Sequence, residues 1–284
     1  MKNRIQLLKH VARKKAPALF GELKYLKNNI NKKDIKLEKI AEVILNDMNL
    51  RRGDIVMVHT SLQYINLIDS RPEDLIFLLQ MILGAEGSLL MPTYPRKHYK
   101  VLHSNTAFDV RKTLCSTGLI NEIFRQMPDT YQSCHPLKSV AGWGKMAQYL
   151  TREHYKSELA FDENSPFYKL FLEKGKIIGI GVPLANFSFL HTVEDTNDQY
   201  FPRRYSDPLI KECIDIDGTR RIGHYRHNLP EVVDRVSPYR IMKYFQDNEM
   251  REFKKGGVPY FWADSVKVYN KTLSLATKGI TIYG

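Results

Sequence analysis

The chain has 284 residues, 43% of them apolar and 26% charged, which is ordinary globular usage and excludes a disordered or fibrous protein. Three cysteines (Cys115, Cys134 and Cys213) with no C-x-x-C pair exclude a disulfide framework or zinc ribbon and favour a reducing compartment. Lysine and arginine number 43 against 31 acidic residues, a net +12 that attracts phosphates, nucleic acid or anionic membrane and repels a polycation.

Residues 1–50 are polar, lysine-rich and helix-like. Ile35, Leu37, Ile40, Val43 and Ile44 fall near helical spacing, with Asp34 as their N-cap. Gly53-Asp54 turns the chain into a buried strand, Ile55-Val56-Met57-Val58. A helix over Pro72–Leu83 follows, with Ser70 as cap and Pro72 in the first turn, and Gly84 ends it before the strand Ser88-Leu89-Leu90-Met91. Further on, residues 117–127 read as a helix stopped by Pro128 and Ser139-Val140-Ala141 as a strand. Helices are expected from Met146 and over 165–173. The clearest buried strand is 176–182. The last third carries a strand-like Val266-Lys267-Val268 and a helix near 237–245. Strands alternating with helices argue for an α/β layered domain, and the absence of a linker, repeat or low-complexity segment for one domain over 1–284. No apolar run reaches the length of a membrane span, the strongest being the nine residues 75–83. The basic opening stretch lacks an apolar core and a small-residue cleavage site, so a cytoplasmic protein is expected.

The segment Phe189-Leu190-His191-Thr192-Val193-Glu194-Asp195 follows the clearest strand after a short loop. If a helix starts near Ser188, His191 and Glu194 share one face, where the carboxylate can fix the imidazole tautomer for a general base near neutral pH. On pattern alone, such a pair is more often a surface ion pair. In Gln132-Ser133-Cys134-His135-Pro136-Leu137-Lys138-Ser139, the hydroxyls of Ser133 and Ser139, with Lys138 and His135, could hold phosphate oxygens; an ordinary turn built around Pro136 is an equal reading. His59-Thr60-Ser61-Leu62 closes the first strand, where hydroxyls and backbone N–H groups can cradle an oxygen or simply cap a turn. Asn66 suits a left-handed turn. Gly179-x-Gly181 lacks the third glycine of a dinucleotide fingerprint, and no phosphate-loop or metal-ligand spacing occurs. Cys134 beside His135 reads as a buried, inert thiol.

Taken in order, these segments resemble the aminoglycoside 3-N-acetyltransferase family. The matching pieces are Val58-His59-Thr60-Ser61-Leu62, Leu83-Gly84-x-x-Gly87-Ser88-Leu89-Leu90-Met91-Pro92-Thr93 and Phe108-Asp109. They continue with Gly118-Leu119-Ile120-Asn121-Glu122-Ile123-Phe124-Arg125, Ser133-x-His135-Pro136-x-x-Ser139-Val140, Ser165-Pro166, and Gly179-Ile180-Gly181-Val182 leading to Leu190-His191-x-x-Glu194. The resemblance covers 53–200, with 1–50 a divergent helical extension and 201–284 a divergent substrate-side region. It implies a three-layer αβα sandwich around a mixed central sheet, no permanently bound cofactor or metal, and acyl-CoA as co-substrate. By position, His191 would deprotonate an attacking amine and Glu194 would orient it. Ser188, where the family usually has threonine, would offer a hydroxyl near the thioester. His59, Thr60, Ser61, Leu62, Ser133, His135, Lys138 and Ser139 would line the coenzyme A channel. Gln132 replaces a usual arginine, so one phosphate contact would be either lost or supplied by Lys138. Asn66 replaces a usual glycine.

The +12 charge selects the acceptor at this stage. A polycationic aminoglycoside is disfavoured by such a field and a diphosphate is drawn in. The expectation is therefore an N-acyltransferase acting by direct attack on a nucleotide-linked (dTDP- or UDP-) amino sugar for surface polysaccharide. Arg203, Arg204 and Arg221 would hold the diphosphate. Aminoglycoside 3-N-acetylation is the alternative, and a nucleic-acid-binding protein the more distant one, although no basic stripe interleaved with aromatics is present. No membrane insertion is expected, and a homo-oligomer stays open.

Overall fold

The computed structural model describes residues 32–201, 205–229 and 236–283. Its strands and helices follow in chain order. The first are β1 (Lys33–Ile35), α1 (Leu37–Glu42), β2 (Ile55–Thr60), β3 (Ile65–Leu67), α2 (Pro72–Leu83), β4 (Ser88–Pro92) and α3 (His98–His103). Next come β5 (Phe108–Asp109), α4 (Leu119–Phe124), β6 (Tyr131–Gln132), β7 (Val140–Gly144), α5 (Ala147–Thr151) and α6 (Pro166–Leu172). The remainder are β8 (Lys176–Ile180), α7 (Leu190–Asp195), β9 (Leu209–Ile214), β10 (Arg220–Tyr225), α8 (Tyr239–Met242), β11 (Met250–Lys255), β12 (Val258–Asp264) and α9 (Ser265–Ala276).

Seven strands form the main sheet in the order β11-β12-β8-β2-β4-β7-β6. The middle three, β8-β2-β4, are parallel, and the outer ones are antiparallel, so the sheet is mixed. Period-two alternation divides the strand side chains between two cores. Val56 and Val58, Leu89 and Met91, with Ile178 and Ile180, face α1, α2 and α4 through Ile40, Leu79 and Phe124. Met57, Leu90 and Ile177 face the other way, onto Leu150, Phe167, Val193 and Val268 of α5, α6, α7 and α9. Helices therefore cover both faces, which is the expected αβα sandwich. A smaller sheet, β10-β9-β5, carries its own cluster around Phe108, Cys213 and Tyr225.

Several local expectations need correction. Asp34 caps no helix: it lies in β1, pairs with β3, and accepts a 2.7 Å hydrogen bond from the Asn66 amide. Asn66 is accordingly extended strand, with no left-handed backbone. The helix over 35–44 breaks into β1, the short α1 and a single wide turn over Val43–Asp47. The cap of α2 is Arg71 and not Ser70, since Asp74 reaches back to accept from the Arg71 backbone N–H at 2.7 Å. The stretch Val266-Lys267-Val268 is helical within α9, because Asp264 caps that helix by accepting from the Lys267 N–H at 3.0 Å. Residues 1–31, where most of the helical extension was expected, lie outside the described residues. Among those described, no helix is long and apolar enough to cross a membrane, and no group of three metal-ligating side chains converges.

Candidate active site

The parallel neighbours β2 and β8 send their following connections to opposite faces of the sheet, β2 to α2 and β8 to α7, which opens a crevice at their carboxyl ends. A cavity of about 440 Å³ occupies that crevice. His59, Thr60 and Ser61 enter it from the end of β2, Val182 and Pro183 from beyond β8, and Asn121 from α4. Ser188, His191, Lys138, Tyr94 and Ile282 close it.

His191 sits in the first turn of α7, three residues before Glu194. Its Nδ1 lies 2.8 Å from Glu194 Oε2. The carboxylate is 1% exposed and the imidazole 22% exposed, so the pair is a buried acid holding a ring at the cavity surface. A carboxylate oxygen accepts, which assigns the proton to Nδ1 and leaves the Nε2 lone pair for chemistry. Phe161 packs 5.3 Å from the ring, and the Tyr283 hydroxyl donates to the same Glu194 oxygen at 2.8 Å.

The other wall residues differ in what they can offer. Asn121 gives its amide N–H to the Pro92 carbonyl at 2.6 Å, which fixes its oxygen toward Thr60. Thr60 therefore donates its hydroxyl proton to Asn121 Oδ1 at 2.6 Å and has no proton left for a ligand. The Ser188 hydroxyl has a 3.5 Å contact to the Asn186 carbonyl and neighbours the Tyr94 hydroxyl. His59 is neutral: burial pushes its pKa down to about 4, and its Nε2 has no partner among the described residues. Burial also lowers the Lys138 ammonium to about 8, and its Nζ stands 4.3 Å over the Tyr94 ring.

Other expected channel residues lie elsewhere. Leu62 packs into the core beneath α1 and α2. Ser133 Oγ meets His154 Nδ1 and accepts from the Val140 N–H, both at 2.8 Å, while Ser139 donates to the Thr93 carbonyl at 2.6 Å. His135 accepts from the backbone N–H groups of Leu137 and Lys138. Each of the three polar residues is fully buried, because the loop before β7 satisfies its own backbone. Of that loop, Lys138 alone reaches the cavity among the residues expected there. Arg221 does not line it: it lies on β10, paired with Asp215 at 3.2 Å and stacked over Tyr155. Arg203 and Arg204 lie outside the described residues. The sequence reading missed Tyr94, Asn121 and Tyr283. Asn121 alone carried a signal, a polar residue on the inward face of a short helix.

The aminoglycoside 3-N-acetyltransferase family model matches residues 57–275. Aminoglycoside N(3)-acetyltransferase III of Serratia marcescens is 27% identical over 164 residues, 53% of this chain and 61% of that protein. The prophage-derived aminoglycoside N(3')-acetyltransferase-like protein YokD of Bacillus subtilis is 25% identical over 168 residues, again 53% and 61%. The chain thus spans about three fifths of the length of the curated relatives it matches. In fold it resembles AAC-IIIb in binary complex with CoASH, with a TM-score of 0.70 and 20% identity, over 87% of this chain and 98% of that one. It also resembles AAC-VIa bound to sisomicin, with a TM-score of 0.69 and 22% identity, over 84% and 96%.

These relatives overturn the expectation of a nucleotide-linked sugar for polysaccharide synthesis and favour the aminoglycoside alternative. The charge argument failed because net charge is a property of the whole chain. Residues 1–31 alone hold eight basic side chains against one acidic, more than half of the excess, whereas the described cavity wall has one ammonium. With the family model matched from the third residue of β2 through nearly all of α9, the chain belongs to the aminoglycoside 3-N-acetyltransferase family.

Proposed function

We propose that the chain transfers an acetyl group from acetyl-CoA to an amine of an aminoglycoside. One observation carries the reading: the imidazole of His191, fixed through Nδ1 by a buried carboxylate, lines a 440 Å³ cavity at the carboxyl ends of parallel strands. A protonated amine has no lone pair, so the neutral amine must attack while a base takes its proton. Nε2 of His191 removes that proton as nitrogen bonds to the thioester carbon. The carbonyl electrons move to oxygen, then return to expel the thiolate, which recovers the proton from the imidazolium. With the Thr60 proton committed to Asn121, the wall hydroxyls left to donate to the developing oxyanion include Ser188 and Ser61, whose oxygen accepts from the Gln63 N–H. Ser188, close to His191 in the chain, takes that role in this reading. Direct attack requires both substrates bound together.

The test is thiol release from acetyl-CoA against a panel of aminoglycosides that includes sisomicin. Intersecting initial-rate lines are expected, with His191→Ala lowering kcat at least ~10²-fold, the scale of general base catalysis. Unchanged turnover in His191→Ala, or no thiol release with any aminoglycoside, would sink the reading.

A further inference from the structure

Glu194 Oε2 receives two donors, the Nδ1–H of His191 and the hydroxyl of Tyr283, each at 2.8 Å. Tyr283 is 89 positions from Glu194 in sequence and 5% exposed, and the segment that bears it is clamped at several points. Its backbone N–H donates to Thr281 Oγ1 at 3.2 Å, and its carbonyl accepts from the Arg240 guanidinium at 2.5 Å. The preceding carbonyl, of Ile282, accepts from the Ser237 N–H at 2.9 Å, and the Ile282 side chain forms part of the cavity wall. A phenol is thus delivered to the carboxylate behind the imidazole by a segment that also shapes the substrate cavity.

We propose that Tyr283 is a positioning residue for the His191–Glu194 pair. Two donors converging on one oxygen restrict the rotation of the carboxylate more than either does by itself, and so sharpen the direction in which His191 presents Nε2. The phenol also withdraws charge from Oε2 and tempers its pull on the Nδ1 proton. This inference rests on His191 being the base. It concerns how that base is held and leaves open which amine it serves.

Tyr283→Phe removes one oxygen and keeps the ring. With acetyl-CoA and an accepted aminoglycoside, kcat is expected to fall about tenfold, the scale of one hydrogen bond to a charged group, with both KM values within about twofold. In a Glu194→Gln background the same substitution is expected to cost less than about twofold, because the oxygen it acts through has lost its charge. Full loss in that background, or a raised KM at unchanged kcat, would overturn the proposal in favour of a wall role. A second measurement needs no turnover. In proton NMR of histidine-labelled protein, the His191 Nδ1–H resonance is expected to move downfield in Tyr283→Phe, since the carboxylate then pulls harder on that proton. An unmoved resonance overturns the proposal even if no aminoglycoside is ever acetylated.

Discussion

His135 and His154 lie stacked, with ring centroids 4.4 Å apart and planes 22° from parallel, and both rings are fully enclosed. Burial holds each neutral: it pushes His154 down to about 3 and His135 well below the usual imidazole range, where the neighbouring His154 and Lys138 add to the effect. Ser133, on His154 Nδ1, and the Ala160 carbonyl, 3.0 Å from Nε2, complete the cluster.

Acid stability follows from these rings. His59 and His98 are also lowered to about 4, chiefly by burial. An unfolded histidine titrates near 6.5, so below that pH the unfolded chain binds protons the folded one refuses, and stability falls as pH drops toward 4. Each depressed unit is worth ~1.4 kcal/mol, so the three enclosed rings, His59, His135 and His154, should together remove ~4 kcal/mol between pH 7 and pH 5. The half-exposed His98, screened by solvent, adds less than any of them. Urea titrations at pH 7, 6 and 5 measure this. A flat stability profile over that range would show the rings to be solvated.

The same cluster shows what sequence could reveal and what it could not. Parallel strands buried on both faces write themselves as apolar runs, so β2, β4 and β8 were legible, as was α2 between its proline and its glycine. The His191–Glu194 pair was legible because helical spacing alone brings the two side chains together. The loop over 132–139 was misread because hydroxyls and imidazoles that could hold phosphate also satisfy buried backbone, and only tertiary contact decides between those uses. Asp34 went to β1 because β3 offered a strand edge and an amide, partners remote in sequence. Tyr283 could not be found at all, since its partner is fixed by the fold and by no local pattern.

Lys138 should trade stability for substrate binding. Its ammonium has no carboxylate partner among the described residues, and burial lowers its pKa to about 8. The unfolded lysine keeps its proton to about 10.5, so the folded state bears the penalty in full below pH 8 and sheds it as pH rises toward 10. Lys138→Met is expected to be more stable than wild type by about 2–3 kcal/mol at pH 7, with the difference shrinking by pH 10. The phosphates of coenzyme A are the anions this ammonium can meet, so KM for acetyl-CoA should rise about tenfold in the variant with kcat little changed. A more stable variant with an unaltered KM would place the ammonium away from the phosphates.

Gly181 and Gly53 provide a paired test of backbone strain. Both have positive φ, +67° and +86°. A Cβ at Gly181 would stand 2.4 Å from the Ser61 carbonyl and 2.5 Å from Ile65 Cδ1, whereas at Gly53 it would meet nothing within 4 Å. Gly53→Ala should therefore cost only the backbone penalty of ~1 kcal/mol. Gly181→Ala adds a clash that must move Ser61 off the cavity wall, and ~2–4 kcal/mol is expected. Denaturant midpoints of the two variants decide the matter, and equal losses would mean that the close approach of β8 to Ser61 is not rigid.

Ser188 and Thr60 both present hydroxyls to the cavity, yet only one has a proton to give. Thr60 Oγ1 spends its hydrogen on Asn121 Oδ1, and Asn121 is held in turn by the Pro92 carbonyl. Thr60→Val leaves a buried amide oxygen unpaired, so the expected cost is ~1–3 kcal/mol of stability, with kcat within about threefold of wild type. Ser188 has a 3.5 Å contact to the Asn186 carbonyl and the Tyr94 hydroxyl nearby, a looser commitment than that of Thr60, so Ser188→Ala should lower kcat by ~10- to 10²-fold with little change in melting temperature. Ser188→Thr, which restores a hydroxyl at the same carbon, should recover most of that loss. If Thr60→Val cripples kcat while Ser188→Ala is silent, the oxyanion is held on the β2 side of the cavity and the assignment of donors is reversed.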